Sequence, residues 1–227
     1  MVISEVIYSI KSRFKLYYAI FMVAPKVWRP PQKCDVLIYD KRGSEALAPY
    51  LEKYRTEIAS VNGESINLYC LLHAIFKANF WRGRRLRAYM EVYITTASPR
   101  LCITFVDENT DFYTISDSLS GVKTMLLQNG LRDDWLEVHT DKSLYKVDFM
   151  LVFNKSIGSI YERHINGKIV LAGSLKNNFI EKTTKLLLIP YFLFLHTQNL
   201  TAINHFTFAT MVSNLLGLSS PRRNALP

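Results

Sequence analysis

The chain has 227 residues, of which 49% are hydrophobic and 13% aromatic, with only 9 glycines and 8 prolines. This composition excludes a disordered or collagen-like chain, and the length suits one well-buried core better than two full domains. The formal charge of +9 calls for an anionic partner, and charge alone does not choose between a phosphorylated substrate, an acidic membrane surface and nucleic acid.

Residues 2–24 read as an amphipathic helix, with Val2, Val6, Ile10, Phe14 and Tyr17 along one side and Lys11, Arg13 and Lys15 in the middle. Such a helix packs on its own domain or lies in a membrane interface. Its apolar run Leu16–Ala24, like the later Leu186–Leu195 with Pro190 inside it, falls short of the roughly 20 residues a bilayer span needs. Trp28-Arg29-Pro30-Pro31 breaks the helix and reads as a linker.

Asp35–Asp40 is a short apolar run with a polar end, the pattern of a buried parallel strand whose tip is exposed. Gly43-Ser44 follows, with Ser44 a candidate cap for a helix over Glu45–Tyr54. Thr56–Val61 reads as a second strand, and Ser65 as a candidate cap for a helix over Ile66–Ala78. The basic group Arg82, Arg84, Arg85 and Arg87 leads into a helix reaching Thr96. That group is a solvated helix start or a patch facing acidic lipid; no nucleic-acid module accompanies it.

Leu101–Asp107 is a third strand, 111–120 a helix, Val122–Leu127 a strand ending in Gln128-Asn129-Gly130, and Val147–Phe153 a strand. A helix over Ser156–Ile165 and a strand over Lys168–Ala172, ending in Gly173-Ser174, complete the series. At least five strand–helix cycles predict a Rossmann-like, doubly wound α/β fold, a mostly parallel sheet with flanking helices. The organisation expected is an N-terminal helix and linker over 1–33, an α/β domain over 34–180, and an atypical extension over 181–227. No Asp or Glu follows Glu181, and no clean strand–helix rhythm is legible there.

The three cysteines, Cys34, Cys70 and Cys102, form no C-x-x-C pair and read as buried reduced thiols. The five histidines show no paired metal spacing, so no metal is expected. There is no phosphate loop, no G-x-G-x-x-G after a strand and no G-x-S-x-G elbow, so neither a nicotinamide enzyme nor a serine hydrolase is expected, and no cofactor. In an open parallel sheet, ligands bind beyond the carboxyl ends of the strands. That directs attention to Asp40 with Gly43-Ser44-Glu45, Asn62-Gly63-Glu64, Asp107-Glu108-Asn109, Gln128-Asn129-Gly130, and Gly173-Ser174 with Lys176-Asn177-Asn178.

Val36–Asp40 with Gly43-Ser44-Glu45, Gly63-Glu64 with Asn67, Ile103–Asp107 with Phe112-Tyr113, Gln128-Asn129-Gly130, and Val147-Asp148 through Tyr161 to Gly173-Ser174 with Asn177-Asn178 together resemble a group of bacterial surface-carbohydrate biosynthesis proteins. Those proteins are similar to glycosyl- and glycerophosphotransferases of the two-domain GT-B type, and the resemblance covers roughly residues 28–180. It implies a role in lipopolysaccharide or capsule assembly, in the cytoplasm or at the inner face of the cell membrane. The chain would be a single GT-B-like N-terminal domain, weakly active alone, with residues after 181 a truncated or frame-shifted remnant.

On this reading a carboxylate at a strand end deprotonates an acceptor hydroxyl. Asp107 is the candidate base. Asp40, Ser44, Glu64, Asn67, Gln128, Asn129, Gly130, Ser174 and Asn177 are the candidate substrate contacts. The partners implied are a nucleotide-activated sugar or a lipid-linked glycan acceptor, with peripheral membrane contact and no nucleic acid. The alternative is a non-catalytic Rossmann-like protein that docks on a partner enzyme or on the membrane.

Overall fold

A computed structural model describes residues 22, 24–61, 64–107, 109–130, 145–175 and 200–217; for residues 117 and 200–207 only the backbone is considered. The predicted helix over 2–24 lies almost wholly outside the described residues. Six strands build one sheet: β2 (Val36–Ile38), β3 (Thr56–Ile58), β5 (Leu101–Thr104), β6 (Lys123–Leu127), β7 (Lys146–Val152) and β8 (Asn166–Leu171). Their spatial order is β3-β2-β5-β6-β7-β8, and every neighbouring pair is parallel. Ile38, Ile103 and Met125 sit in one row across β2, β5 and β6.

Parallel strands need crossover helices, and those cover both faces. Alternation sorts the strand residues between them. Leu37, Tyr39, Cys102, Leu126 and Met150 face α2 (Leu68–Ile75), α4 (Arg85–Ala97), α5 (Thr110–Ile115) and α6 (Lys155–His164). Val36, Ile38, Leu101, Ile103 and Met125 face α1 (Ser44–Leu51) and α7 (Leu200–Leu215). The doubly wound architecture expected from the strand–helix rhythm is therefore present, with strands in every predicted place.

Local details differ from the sequence reading. Ser44 does not cap α1; Gly43 occupies that position in a left-handed conformation (φ 77°), and no side chain caps the helix. Ser65 does not cap either. The chain first forms β4 (Ile66–Asn67), which pairs in parallel with β1 (Lys26–Val27) just ahead of the predicted linker. Asn67 then caps α2 by accepting from the Cys70 amide at 3.0 Å, a better-placed Asx cap outcompeting the serine. After α2 the chain makes a short α3 (Ala78–Trp81) before α4. The helix predicted over 111–120 is α5 followed by a 3-10 turn at Ser116–Ser118.

The largest difference concerns the C-terminal region. Phe208, Val212 and Leu216 are fully buried on the sheet face beside α1, and the Phe208 ring meets Tyr50 edge-on with centroids 5.1 Å apart. Each such side chain is worth about 1.5–3 kcal/mol of apolar burial. The helix closes at Gly217 with φ 67°. This part of the segment set apart on composition is a structural layer of the α/β body.

Candidate functional site at the carboxyl edge of the sheet

The chain leaves β2 for β3 on one side and later returns to β5 on the other. The order therefore reverses between β2 and β5, the switch point at which open α/β sheets form their ligand crevice. Asp40 follows β2 and Asp107 follows β5, and both are fully buried. A buried carboxylate is expensive unless its oxygens are hydrogen-bonded, so the partners of these two define the site.

Asp40 closes an Asx turn. Its Oδ1 accepts from the Arg42 amide at 2.8 Å and from Arg42 Nε at 3.4 Å, and its Oδ2 accepts from Arg42 Nη2 at 3.1 Å. The Asp40 side chain is 0% exposed and that of Arg42 is 55% exposed. A buried acid thus orients a guanidinium that is about half exposed to solvent. Gly43 continues the turn. Its φ of 77° already excludes most residues, and a Cβ there would lie 2.8 Å from Cγ of Phe105 in the loop after β5. Only glycine lets the two loops approach this closely. Ser44, buried, follows at the start of α1.

Asp107 is held differently. Its Oδ2 accepts from the Tyr161 hydroxyl of α6 at 2.8 Å, and its carbonyl accepts from the Tyr113 hydroxyl of α5. It is not a helix cap; Asn109 caps α5 by accepting from the amides of Asp111 and Phe112 at 3.1 and 3.3 Å. Thr104 Oγ1 accepts from the Val106 amide and shapes the loop between them. Tyr39, in front of Asp40, is fully buried, its hydroxyl without a hydrogen-bond partner among the described residues, and burial pushes its phenol well above the ordinary value.

The next strand end is structural. Gln128 accepts from the Phe153 amide at 2.9 Å through Oε1 and donates to the Gly130 carbonyl at 2.8 Å through Nε2. Its amide is therefore spent on tying the ends of β6 and β7 together. Asn129 and Gly130 are half-buried beside it. Ser174 lies along the same edge after β8, three strands beyond β5, or about 14 Å at ordinary strand spacing. Asp40, Asp107, Asn129 and Ser174 share one edge, as the parallel order demands.

Two predicted contacts belong elsewhere. Glu64 is exposed ahead of β4, off the main sheet. Asn67, besides capping α2, donates through Nδ2 to the Arg29 carbonyl at 2.9 Å, and its backbone amide donates to the Tyr89 hydroxyl at 3.0 Å. It lines a separate cavity of ≈ 300 Å³ beside edge strand β3, with Glu57 and Tyr93. Asn177 lies outside the described residues. The three thiols are buried as expected, and burial raises Cys34 to about 11 and Cys70 to about 12. Among the described residues, no group of three His, Cys, Asp or Glu side chains is placed to hold a metal ion. No described helix is long and apolar enough to cross a membrane.

Arg42 is the functional candidate that the sequence reading passed over. A lone arginine two residues after a strand-end aspartate carries no periodic signal; only the Asp40 geometry marks it.

Strand order and double winding define a Rossmann-like α/β protein, a class in which ligands bind at the carboxyl edge of the sheet. Within that class, residues 125–213 match a family model described as "putative O-antigen biosynthesis protein". The matched stretch runs from β6 through α6 and β8 into α7. The similarity supports a role in surface-carbohydrate biosynthesis, in the making of O-antigen. No curated protein and no solved structure matches the chain.

Proposed function

We propose that the chain binds a phosphorylated sugar substrate of O-antigen assembly in the β2/β5 crevice and serves as a glycosyltransferase-like domain. The observation that carries this is the Asp40–Arg42 pair: a buried carboxylate aims an exposed guanidinium at the position where open α/β sheets hold their ligands. Arg42 receives the diphosphate of a nucleotide-activated sugar or the phosphate of a lipid-linked acceptor, with the first turn of α1 beside it. Asp107 is the candidate base. Its carboxylate takes the proton of an acceptor hydroxyl, the freed oxygen bonds to the sugar's anomeric carbon, and the phosphate leaves with the bonding pair, its charge offset by Arg42. The sequence resemblance to GT-B transferases supports this assignment.

The complete burial of Asp107 and its bond to Tyr161 favour a second reading, a binding protein without chemistry in which Asp107 only fastens β5 to α6. Titration with a nucleoside diphosphate tests the first part. Binding is expected, with Arg42→Ala weakening it about tenfold or more, the worth of one charge-assisted phosphate contact. Unchanged affinity in that variant removes Arg42 from the site. Where transfer is measured, Asp107→Asn is expected to lower turnover roughly 100-fold or more with affinity unchanged; an unaltered turnover leaves the second reading standing.

A further inference from the structure

The α2–α4 tip carries apolar side chains that the core does not use. Leu72 and Phe76 are four residues apart, on one side of α2 and its C-cap, and are 52% and 89% exposed. Trp81, 73% exposed, is turned back toward the end of α2, where its indole Nε1 donates to the Ile75 carbonyl at 2.7 Å. That bond satisfies the only polar atom of the ring, leaving a wholly apolar surface toward solvent. Leu86, in the first turn of α4, adds to it at 37% exposure.

The rim of this tip is basic. Lys77, Arg82, Arg84 and Arg85 are all exposed, and Arg85 lies over the Phe80 ring at 5.8 Å. Between Glu64 and Glu91 the sequence contains no acidic residue. Arg87 is not part of the rim: it is spent on Glu91 at 3.0 Å, half-buried within α4. Lys77, Arg82 and Arg84 make no ion pair with a described residue. Apolar side chains that protrude through a ring of exposed cations are what an anionic lipid–water interface binds: the rings enter the acyl boundary while the cations meet the headgroups. A protein partner would match the apolar part, but the one-signed rim sets a charge requirement that an acidic bilayer meets over its whole plane.

Position adds a second argument. α4 runs into β5 through the short turn at residues 98–100, so its C-terminus lies at the amino edge of the sheet and its N-terminus, with the tip, at the carboxyl edge. The tip and the β2/β5 crevice are on the same end of the molecule.

We infer that Leu72, Phe76 and Trp81, ringed by Lys77, Arg82, Arg84 and Arg85, form a docking surface for an anionic phospholipid bilayer, which holds the carboxyl-edge crevice toward the membrane. The inference concerns how the molecule is presented and does not depend on the crevice chemistry.

Co-sedimentation of the full chain with phosphatidylglycerol-containing and with pure phosphatidylcholine vesicles tests it, without any sugar or nucleotide present. Binding to the anionic vesicles is expected, with little to the neutral ones. Phe76→Ser combined with Trp81→Ser is expected to reduce it at least tenfold. Arg82→Gln with Arg84→Gln is expected to reduce it roughly 30-fold, both being exposed changes that leave the thermal midpoint in place. In a chain with Trp28→Phe and Trp135→Phe, the emission of Trp81 should shift to the blue on anionic vesicles. Absence of binding, equal binding to neutral vesicles, or binding that survives both double variants and is lost on deleting residues 1–27 overturns the inference. So does a lipid-free dimer dissolved by Phe76→Ser with Trp81→Ser, which would make a second copy the occupant. Loss of nucleoside diphosphate binding with vesicle binding intact would fail the crevice reading alone.

Discussion

The two ends of the sheet handle polar groups in opposite ways. At the amino end, Asp35 pairs with Arg55 and Lys123 with Asp148, both at 2.9 Å and both in contact with water. At the carboxyl end, Asp40, Asp107 and Gln128 are buried, and their side-chain oxygens accept from Arg42, the Tyr161 hydroxyl and the Phe153 amide. Exposed pairs contribute little to stability because solvent competes for both partners. Buried ones cost desolvation and are strongly destabilising to break. The contrast separates an end that is merely solvated from an end whose loops are held in set positions, which is what a binding edge requires.

The contrast is broken most directly at Gly43. Gly43→Ala forces a left-handed conformation on alanine and drives its Cβ into Phe105. A loss of about 2–4 kcal/mol is expected in urea denaturation. A loss below the error of the measurement would mean that the β2 and β5 loops are free to part. A smaller effect is expected one strand pair along. Gln128→Leu keeps the volume but strands the Phe153 amide, at a cost of about 1–3 kcal/mol. The two substitutions lie far enough apart to add in a double variant.

The smallest effect belongs to the amino end. Burial works to raise the Asp148 carboxyl, but hydrogen bonds from Lys123 and Thr124 outweigh it and hold it below its ordinary value. A depressed carboxylate stabilises the fold above its unfolded pKa of about 4 and loses that contribution as pH falls through the folded value. Lys123→Met should therefore raise the Asp148 titration midpoint seen by NMR, and should flatten the loss of stability below about pH 4. Stability at neutral pH should hardly change. A large loss there would erase the distinction between the two ends.

How much of this was legible follows from the range of each signal. The strands at 36–38, 101–104 and 123–127 announce themselves as apolar runs, and a parallel order then places their polar tips on one edge. What each tip does was not legible, because the deciding partners are remote in sequence: Tyr161 for Asp107, 54 residues away, and Phe153 for Gln128, 25 residues away. The β1–β4 pair, two residues per strand, is too short to show a period. α7 is a different case. Phe208, Met211, Val212, Leu215 and Leu216 follow helical spacing and Gly217 closes the pattern; the lack of acidic residues masks this signal in the composition. Arg42 remained hidden because an exposed arginine in a loop is the commonest of surface features.

The position of α7 also sets the order of events at the ribosome. The side chains it covers, among them Val36, Ile38, Leu101 and Ile103, belong to the central strands and leave the exit tunnel early. Leu216 is made more than a hundred residues after Ile103, on the order of ten seconds later at ordinary elongation rates. Through that interval the nascent chain carries a sheet with one apolar face uncapped. Such a chain cannot finish folding as it emerges. Until α7 arrives, α1 is, among the described helices, the one that covers that face.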